Sequence, residues 1–249
     1  MQCRVLPHES GDGPWNMAVD QWMLDSVVAD PSTAMLRTYE WSVPTLSLGY
    51  FQHRAEAEAD PRWRGAALVR RATGGGAIWH DRELTYALVL PADHPLTRRS
   101  KDLYHAVHLA IVGLLAERGI VARRRGEAEA RVGRDRPLLC FLDRDAEDLV
   151  VAGSKVLGSA QRRRAGALLQ HGSLLLETSE RTPELPGLTS LAPEAPIDPP
   201  DAWAAPVQKA LFKAIGLEPT DHVFMDAERA AAARVAEEIY RSPSWTDRR

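Results

Sequence analysis

Apolar residues recur at helical spacing from Gly13-Pro14 onward. Trp15, Ala18, Val19, Trp22 and Met23 share one face, and Pro31 stands just past the expected end. Stretches 35–41 and 45–50 suit strands, with Val43-Pro44 breaking them apart. Residues 67–71 read as a short strand running into Thr73-Gly74-Gly75-Gly76. Segment 84–90 (LTYALVL) is apolar at both alternating sets of positions, so it predicts a central strand covered on both faces. A helix is expected over 103–118, with Leu103, Val107, Ile111, Leu114 and Leu115 inward and Gly119 as the stop signal. A hairpin is expected around Ala152-Gly153-Ser154, followed by a strand over 168–176.

Seven prolines between Pro183 and Pro206 predict a surface connection that no helix or strand runs through. Two further helices are expected at roughly 203–215 and 225–240. Helices at both ends and strands between them define an α+β class: a mixed or antiparallel sheet with helices packed on it, in one domain spanning 1–249.

Composition narrows the classes. The 249 residues are 45% hydrophobic and carry a net charge of −3. No apolar run approaches the ~18–20 residues that cross a bilayer, and the first residues lack a signal-peptide core. A cytoplasmic protein with no membrane association is expected. The balance is not basic, so nucleic acid is not an expected partner. Residues 118–136 hold seven arginines against three acids, and Arg162-Arg163-Arg164 follows; these suit either an acidic partner or a solvated helix end and loop. Two cysteines, Cys3 and Cys140, make neither a disulfide scaffold nor a zinc site, and no metal is expected.

Three segments carry candidate chemistry. The run from Arg70-Arg71 to His80-Asp81 encloses Gly74-Gly75-Gly76, which suits backbone N–H groups presented to an oxyanion or carbonyl; a tight turn needs the same glycines. Cys140-Phe141 precedes Lys155 of Gly153-Ser154-Lys155-Val156-Leu157-Gly158 by fifteen residues. A partly buried lysine loses proton affinity, and a thiol beside a cation becomes a nucleophile; a core cysteine and a surface lysine would share that spacing. His171 suits a base beside Cys140 or a satisfied core histidine.

Taken in order, RRATGGGAIWHDRELTYALVL, the CF dipeptide, GSKVLGSAQRR and LLQHGSLLLE resemble the biotin/lipoate protein ligase and octanoyltransferase superfamily. WNMAVDQWML, RTYEWSVPTLSLGYFQ and the closing YRSPSWTDRR add to the resemblance, which weakens only through 183–206. Within it the chain is most similar to the Cys-dependent octanoyltransferases of Gram-positive type. Cys140-Phe141 stands where that subgroup places its nucleophile, and Glu83-Leu84-Thr85-Tyr86 stands where ATP-dependent ligases carry an Asn-rich stretch. The chain also leaves no room for the accessory domain of many bacterial lipoate ligases.

The resemblance implies transfer of an octanoyl or lipoyl group from an acyl carrier protein thioester, through Cys140, to a lysine of a lipoyl-domain protein such as the glycine cleavage H protein or a dehydrogenase E2 subunit. It implies Cys140 as nucleophile and Lys155 as base. Arg71, Gly74, Gly75, Gly76, His80, Gly158, Ser159, Ala160 and His171 would line the substrate site, and the acyl tunnel would include Leu84, Tyr86 and Leu157. No cofactor is implied and a monomer is expected. An ATP-dependent lipoate or biotin ligase, or a non-catalytic lipoyl-binding accessory protein, are the alternatives. The acidic run 143–148 after Cys140 departs from the pattern and would raise the thiol pKa.

Overall fold

The computed structural model describes residues 1–131 and 136–249, so Arg134 and Asp135 of the arginine-rich stretch lie outside it. The chain begins with β1 (Gln2–Val5) and β2 (Glu9–Gly11). The Asp12 side chain accepts the Trp15 N–H at 2.9 Å and opens α1 (Gly13–Ala29), with Pro14 in the first turn where a missing N–H costs nothing. Next come β3 (Ala34–Trp41), β4 (Thr45–Leu48), the short α2 (Arg54–Glu58), β5 (Ala67–Arg70), β6 (Ile78–His80) and β7 (Glu83–Leu90). They are followed by α3 (Ser100–Glu117), β8 (Ala122–Arg124), β9 (Leu149–Val151), β10 (Ser154–Arg164) and β11 (Ala167–Leu175). The chain closes with α4 (Leu188–Leu191), α5 (Pro200–Ile215), β12 (Glu218–Asp221), α6 (Asp226–Val235) and α7 (Pro243–Thr246).

The main sheet runs β12-β1-β3-β7-β11-β10-β9-β8, with β2 also on β3. Pairings among β12, β1, β2 and β3 are parallel, and those from β3 through β8 are antiparallel, so the sheet is mixed. β4 lies between β5 and β6 in a separate three-stranded sheet. Alternation along β7 builds two cores. Leu84, Tyr86, Leu88 and Leu90 pack with α3 and α5; Ala87 and Val89 pack with α1 and α6. All eight residues of β7 are buried, as its unbroken apolar pattern predicts.

Two expectations fail on particular residues. α5 begins at Pro200, within the stretch expected to hold no helix, and runs through Pro206, which the expected 203–215 helix already contained; its stripe of Trp203, Val207, Leu211 and Ile215 is buried in the core. Burial of each large apolar side chain is worth roughly 1.5–3 kcal/mol, so the stripe outweighs the ~3 kcal/mol of an interior proline. Ala202, whose carbonyl would otherwise accept the N–H that Pro206 lacks, is an exposed residue. β10 also runs seven residues beyond the predicted hairpin arm at Leu157, because Ser159, Gln161 and Arg163 pair with Gly172, Gln170 and Leu168 along β11. The turn itself is as expected: Ala152 and Gly153 both take positive φ between β9 and β10.

Candidate active site

Cys140 opens a single 3-10 turn, Cys140–Leu142, held against the glycine loop by main-chain bonds. Cys140 N–H donates to Ala77 O at 2.7 Å, and Ala77 N–H donates to Leu138 O at 2.8 Å. Gly76 permits the approach: a Cβ there would lie 3.0 Å from both Cys140 N and Leu138 O. Lys155 reaches the same point from β10. Its Nζ is 3.5 Å from Cys140 Sγ and donates to Cys140 O at 3.1 Å and to Asp148 Oδ1 at 2.7 Å. Gly158 leaves room for this side chain, since a Cβ at that position would come within 2.6 Å of Lys155 Cε.

The Lys155 ammonium is almost entirely enclosed. Burial works against its charge, yet the negative charge of Cys140 and the Asp148 carboxylate outweigh it, and the Lys155 pKa is raised. This corrects the expectation of a lysine made neutral by burial: the resting side chain is a cation. Asp148 is pushed up by burial against the pull of Lys155.

The acidic run 143–148 is largely taken up by cations. Asp143 pairs with Arg131 at 3.1 Å and Arg136 at 2.6 Å, Glu147 with Arg124 at 2.8 Å, and Asp148 with Lys155. The arginine-rich stretch is correspondingly occupied. Arg118 pairs with Asp198, Arg123 with Glu129, and Arg125 faces Asp148. Its six described arginines therefore all meet carboxylates of their own chain. Arg162 donates to Ala72 O at 2.7 Å, and Arg164 pairs with Asp25.

Arg71 is buried beneath the glycine loop. It donates to Ser47 O at 2.7 Å, to Gly76 O at 2.8 Å and to Gly74 O at 3.2 Å, and burial lowers its pKa to about 10. The Gly74, Gly75 and Gly76 N–H groups donate to no protein acceptor among the described residues. His80 stacks on Trp41 with centroids 3.7 Å apart. It donates from Nδ1 to Glu83 and accepts at Nε2 from Ser47 Oγ, and burial lowers its pKa. His171 donates from Nδ1 to Asp20 at 2.8 Å, and its Nε2 meets Thr73 Oγ1 at 2.8 Å. Both ring nitrogens are thus committed away from Cys140, and His171 belongs to a buried network with Asp20, Arg37 and Tyr39.

Cys140 stands where two cavities meet. A wide cleft of about 890 Å³ is bordered by Tyr104, His108, Glu147, Lys155 and Gln161. A narrower pocket opens on the α1 side, lined by Tyr39, Trp41, Ile78, Thr85 and Ser173. Gly74, Gly75, Ser159 and Ala160 border both, while Gly158, His80, Arg71 and His171 border the narrow pocket alone. Gly76 borders the cleft. Leu84, Tyr86 and Leu157 line neither. Strand alternation turns them to the α3 core, and Thr85 faces the pocket instead.

Several site residues escaped the sequence reading. His108 donates from Nδ1 to Glu147 O and accepts the Ser159 hydroxyl at 2.8 Å; burial lowers its pKa to about 4. Its position three before Ile111 and seven before Leu115 marks it as inward on α3. Asp20 likewise interrupts an apolar helix, which is the signal of a buried carboxylate with a partner.

Solved structures of lipoate-protein ligases share this architecture. A putative lipoate protein ligase from T. acidophilum superposes with a TM-score of 0.79 at 21% identity, over 100% of both chains. A lipoate-protein ligase A bound with ATP gives 0.71 at 20% identity, over 99% of each. At that identity the likeness defines a lipoate-protein ligase fold. The model of the lipoyl protein ligase A/B catalytic domain matches residues 12–184, and the chain belongs to that family. Among curated relatives, the octanoyltransferase LipM of Kyrpidia tusciae is 38% identical over 70% of this chain and 66% of its own length. That of Staphylococcus aureus is 35% identical over 67% and 63%. The matched stretch spans just under two thirds of those relatives. Among the described residues, no helix is long and apolar enough to cross a membrane.

Proposed function

We propose that the protein is an octanoyltransferase that moves the acyl group from a carrier-protein thioester to a lysine of a lipoyl-domain protein through an S-acyl intermediate on Cys140. The observation that carries this is Cys140 Sγ 3.5 Å from the Lys155 ammonium, at the meeting point of a wide cleft and a narrow pocket. The narrow pocket takes the acyl chain, and the cleft admits first the donor and then the acceptor. Relatives named octanoyltransferase LipM support this choice.

The Cys140 thiolate attacks the thioester carbonyl. The unpartnered N–H groups of the glycine loop and the Lys155 ammonium face the oxyanion. Collapse breaks the carbon–sulfur bond to the carrier, and the departing thiolate takes a proton from Lys155. The acyl group now sits on Cys140, and Lys155 is neutral. Acylation removes the negative charge that raised the Lys155 pKa, so the neutral amine is easier to hold at this stage. The acceptor lysine enters as an ammonium and gives one proton to Lys155. It attacks the acyl carbon, and a second proton passes to solvent as the amide forms. The Cys140 thiolate leaves beside the restored Lys155 ammonium. Thioester to amide is downhill, so no ATP is consumed.

Octanoyl-acyl carrier protein and the chain should give an intact mass increased by one octanoyl group, absent in Cys140→Ala, with discharge on adding a lipoyl domain. Transfer by Cys140→Ala, or modification only from free octanoate with ATP and Mg²⁺, would replace this reading with the ligase.

A further inference from the structure

We infer that Gln52 is a positioning residue for the Cys140 nucleophile and that the Trp245–Thr246 turn fixes Gln52 through Arg70; the inference rests on the octanoyl-transfer reading above. Among the described residues, two side chains hydrogen-bond the main chain of 136–140. One is Lys155, on Cys140 O; the other is Gln52, whose Nε2 donates to Leu138 O at 3.1 Å. The far end of the same amide is also engaged, with Oε1 accepting the Gly49 N–H at 3.0 Å. Gln52 therefore spans two loops that have little else in common. It ties 49–52 to the segment that ends in the nucleophile.

The 49–52 loop has little freedom of its own. A Cβ on Gly49 would lie 1.9 Å from Gly75 O, so this loop is pressed against the glycine loop. From the other side it is clasped by Arg70, which is fully buried. Arg70 Nη1 donates to Gly49 O at 3.0 Å and to Gln52 O at 2.7 Å, and its Nε and Nη2 donate to Thr246 O at 3.0 and 2.7 Å. Trp245 Nε1 returns a bond to Arg70 O at 2.9 Å, and its ring meets Tyr50 edge-on at 5.9 Å. No carboxylate of the described residues forms an ion pair with Arg70. A buried guanidinium held only by carbonyls is a costly way to stabilise a fold. It is, however, a planar fork able to lock three chain segments in one geometry. The series runs from Thr246 through Arg70 to the Gln52 backbone, and from the Gln52 side chain to Leu138, two residues before Cys140.

Gln52→Ala and Gln52→Glu test this. Gln52→Glu keeps an acceptor for Gly49 N–H but turns a carboxylate oxygen, with no proton to give, toward Leu138 O. Two rates are read: octanoylation of Cys140 by a small octanoyl thioester, and alkylation of Cys140 by iodoacetamide, each across pH. Both variants should slow octanoylation about tenfold or more with KM little changed, the signature of a misplaced nucleophile. Alkylation should change in both variants alike. If Gln52→Glu matches the wild type, the residue only braces its own loop and the inference is overturned. Wild-type rates in both variants overturn it too. Arg70→Lys keeps the charge and loses the fork; it should slow the same step, and the double variant with Gln52→Ala should be no slower than the worse single variant. Fully additive losses would remove Arg70 and the Trp245–Thr246 turn from the series. If the wild type accepts no octanoyl group from any thioester, the transferase reading fails, while alkylation still decides the role of Gln52.

Discussion

Lys155 stands between Asp148 and Cys140, bonded to the carboxylate at 2.7 Å and 3.5 Å from the sulfur, so one buried ammonium adjoins both a carboxylate and the cysteine. On the octanoyl-transfer reading proposed above, the proton affinity of Lys155 is tied to the state of the cysteine, with a proton given in the first half-reaction and one recovered in the second.

Replacing Lys155 by Arg should separate the halves. Arginine keeps a positive charge near Cys140 but does not release its proton near neutral pH, so in the variant the carrier departs as a thiolate that takes its proton from solvent, while the second half-reaction is left without its base. The expected outcome is an acyl-enzyme visible by intact mass, with transfer to the lipoyl domain slowed by the ~10²–10⁴-fold typical of a lost proton-transfer group. Near-normal turnover would remove Lys155 from proton transfer.

Gly158→Ala should imitate a lysine defect without touching the lysine. The new Cβ would fall 2.6 Å from Lys155 Cε and 3.0 Å from Nζ, both on a long side chain that can swing aside. The thermal midpoint should fall, because the displaced ammonium leaves the buried Asp148 carboxylate without its partner. Turnover should fall at least about tenfold as the ammonium leaves its place. A folded variant with full turnover would show that the position of Nζ is not critical.

Arg131 and Arg136 should matter for chemistry rather than for partner capture. Both grip Asp143, three residues past the nucleophile. Replacing the pair with alanine should slow acylation by a small octanoyl thioester as much as by the carrier protein, with little salt dependence. A loss confined to the protein donor and to low ionic strength would instead identify electrostatic steering.

Acid should unfold the protein partly through His108. Burial lowers its pKa from 6.5 to about 4, so the unfolded chain binds the proton first as pH falls. Stability from the neutral ring is fully present above pH 6.5 and is lost as pH drops through about 4, to a total of about 3 kcal/mol. Denaturant titrations at stepped pH should show this slope in the wild type and a flatter one in His108→Gln. Equal slopes would assign the acid sensitivity elsewhere.

Much of the scaffold was legible in the chain, because it rests on periodicity and on turn chemistry. The apolar β7 run, the Gly13-Pro14 start of α1 and the Ala152-Gly153 turn all speak locally. The start of α5 at Pro200 did not, since only tertiary burial of Trp203 and its stripe draws the proline-dense segment into the helix. Edge strands such as β12, whose residues are all exposed, carry no hydrophobic signature at all. At the site, an ordered set of motifs singled out Cys140 and Lys155 as candidates, and the fold brings the two side chains within 3.5 Å. The sign of the Lys155 pKa shift was not legible, because it depends on Asp148, a residue that reads in sequence as one more acid in an acidic run. The misassigned pocket wall of Leu84, Tyr86 and Leu157 has a similar origin. Periodicity separates the two faces of a strand but does not say which one meets the ligand.

That two-faced strand has a bearing on how such an enzyme can change its substrate. On β7, Leu84 and Tyr86 belong to the helical layer of α3 and α5, while Thr85 borders the narrow pocket and Ser173 stands opposite it on β11. On the octanoyl-transfer reading, acyl-length preference and scaffold integrity would fall on alternate residues of the same strand. A library confined to Ile78, Thr85 and Ser173 explores new acyl groups while leaving the α3–α5 layer as it is. A lineage drifting in sequence has the same freedom, and can be retuned for longer or more polar acids one residue at a time.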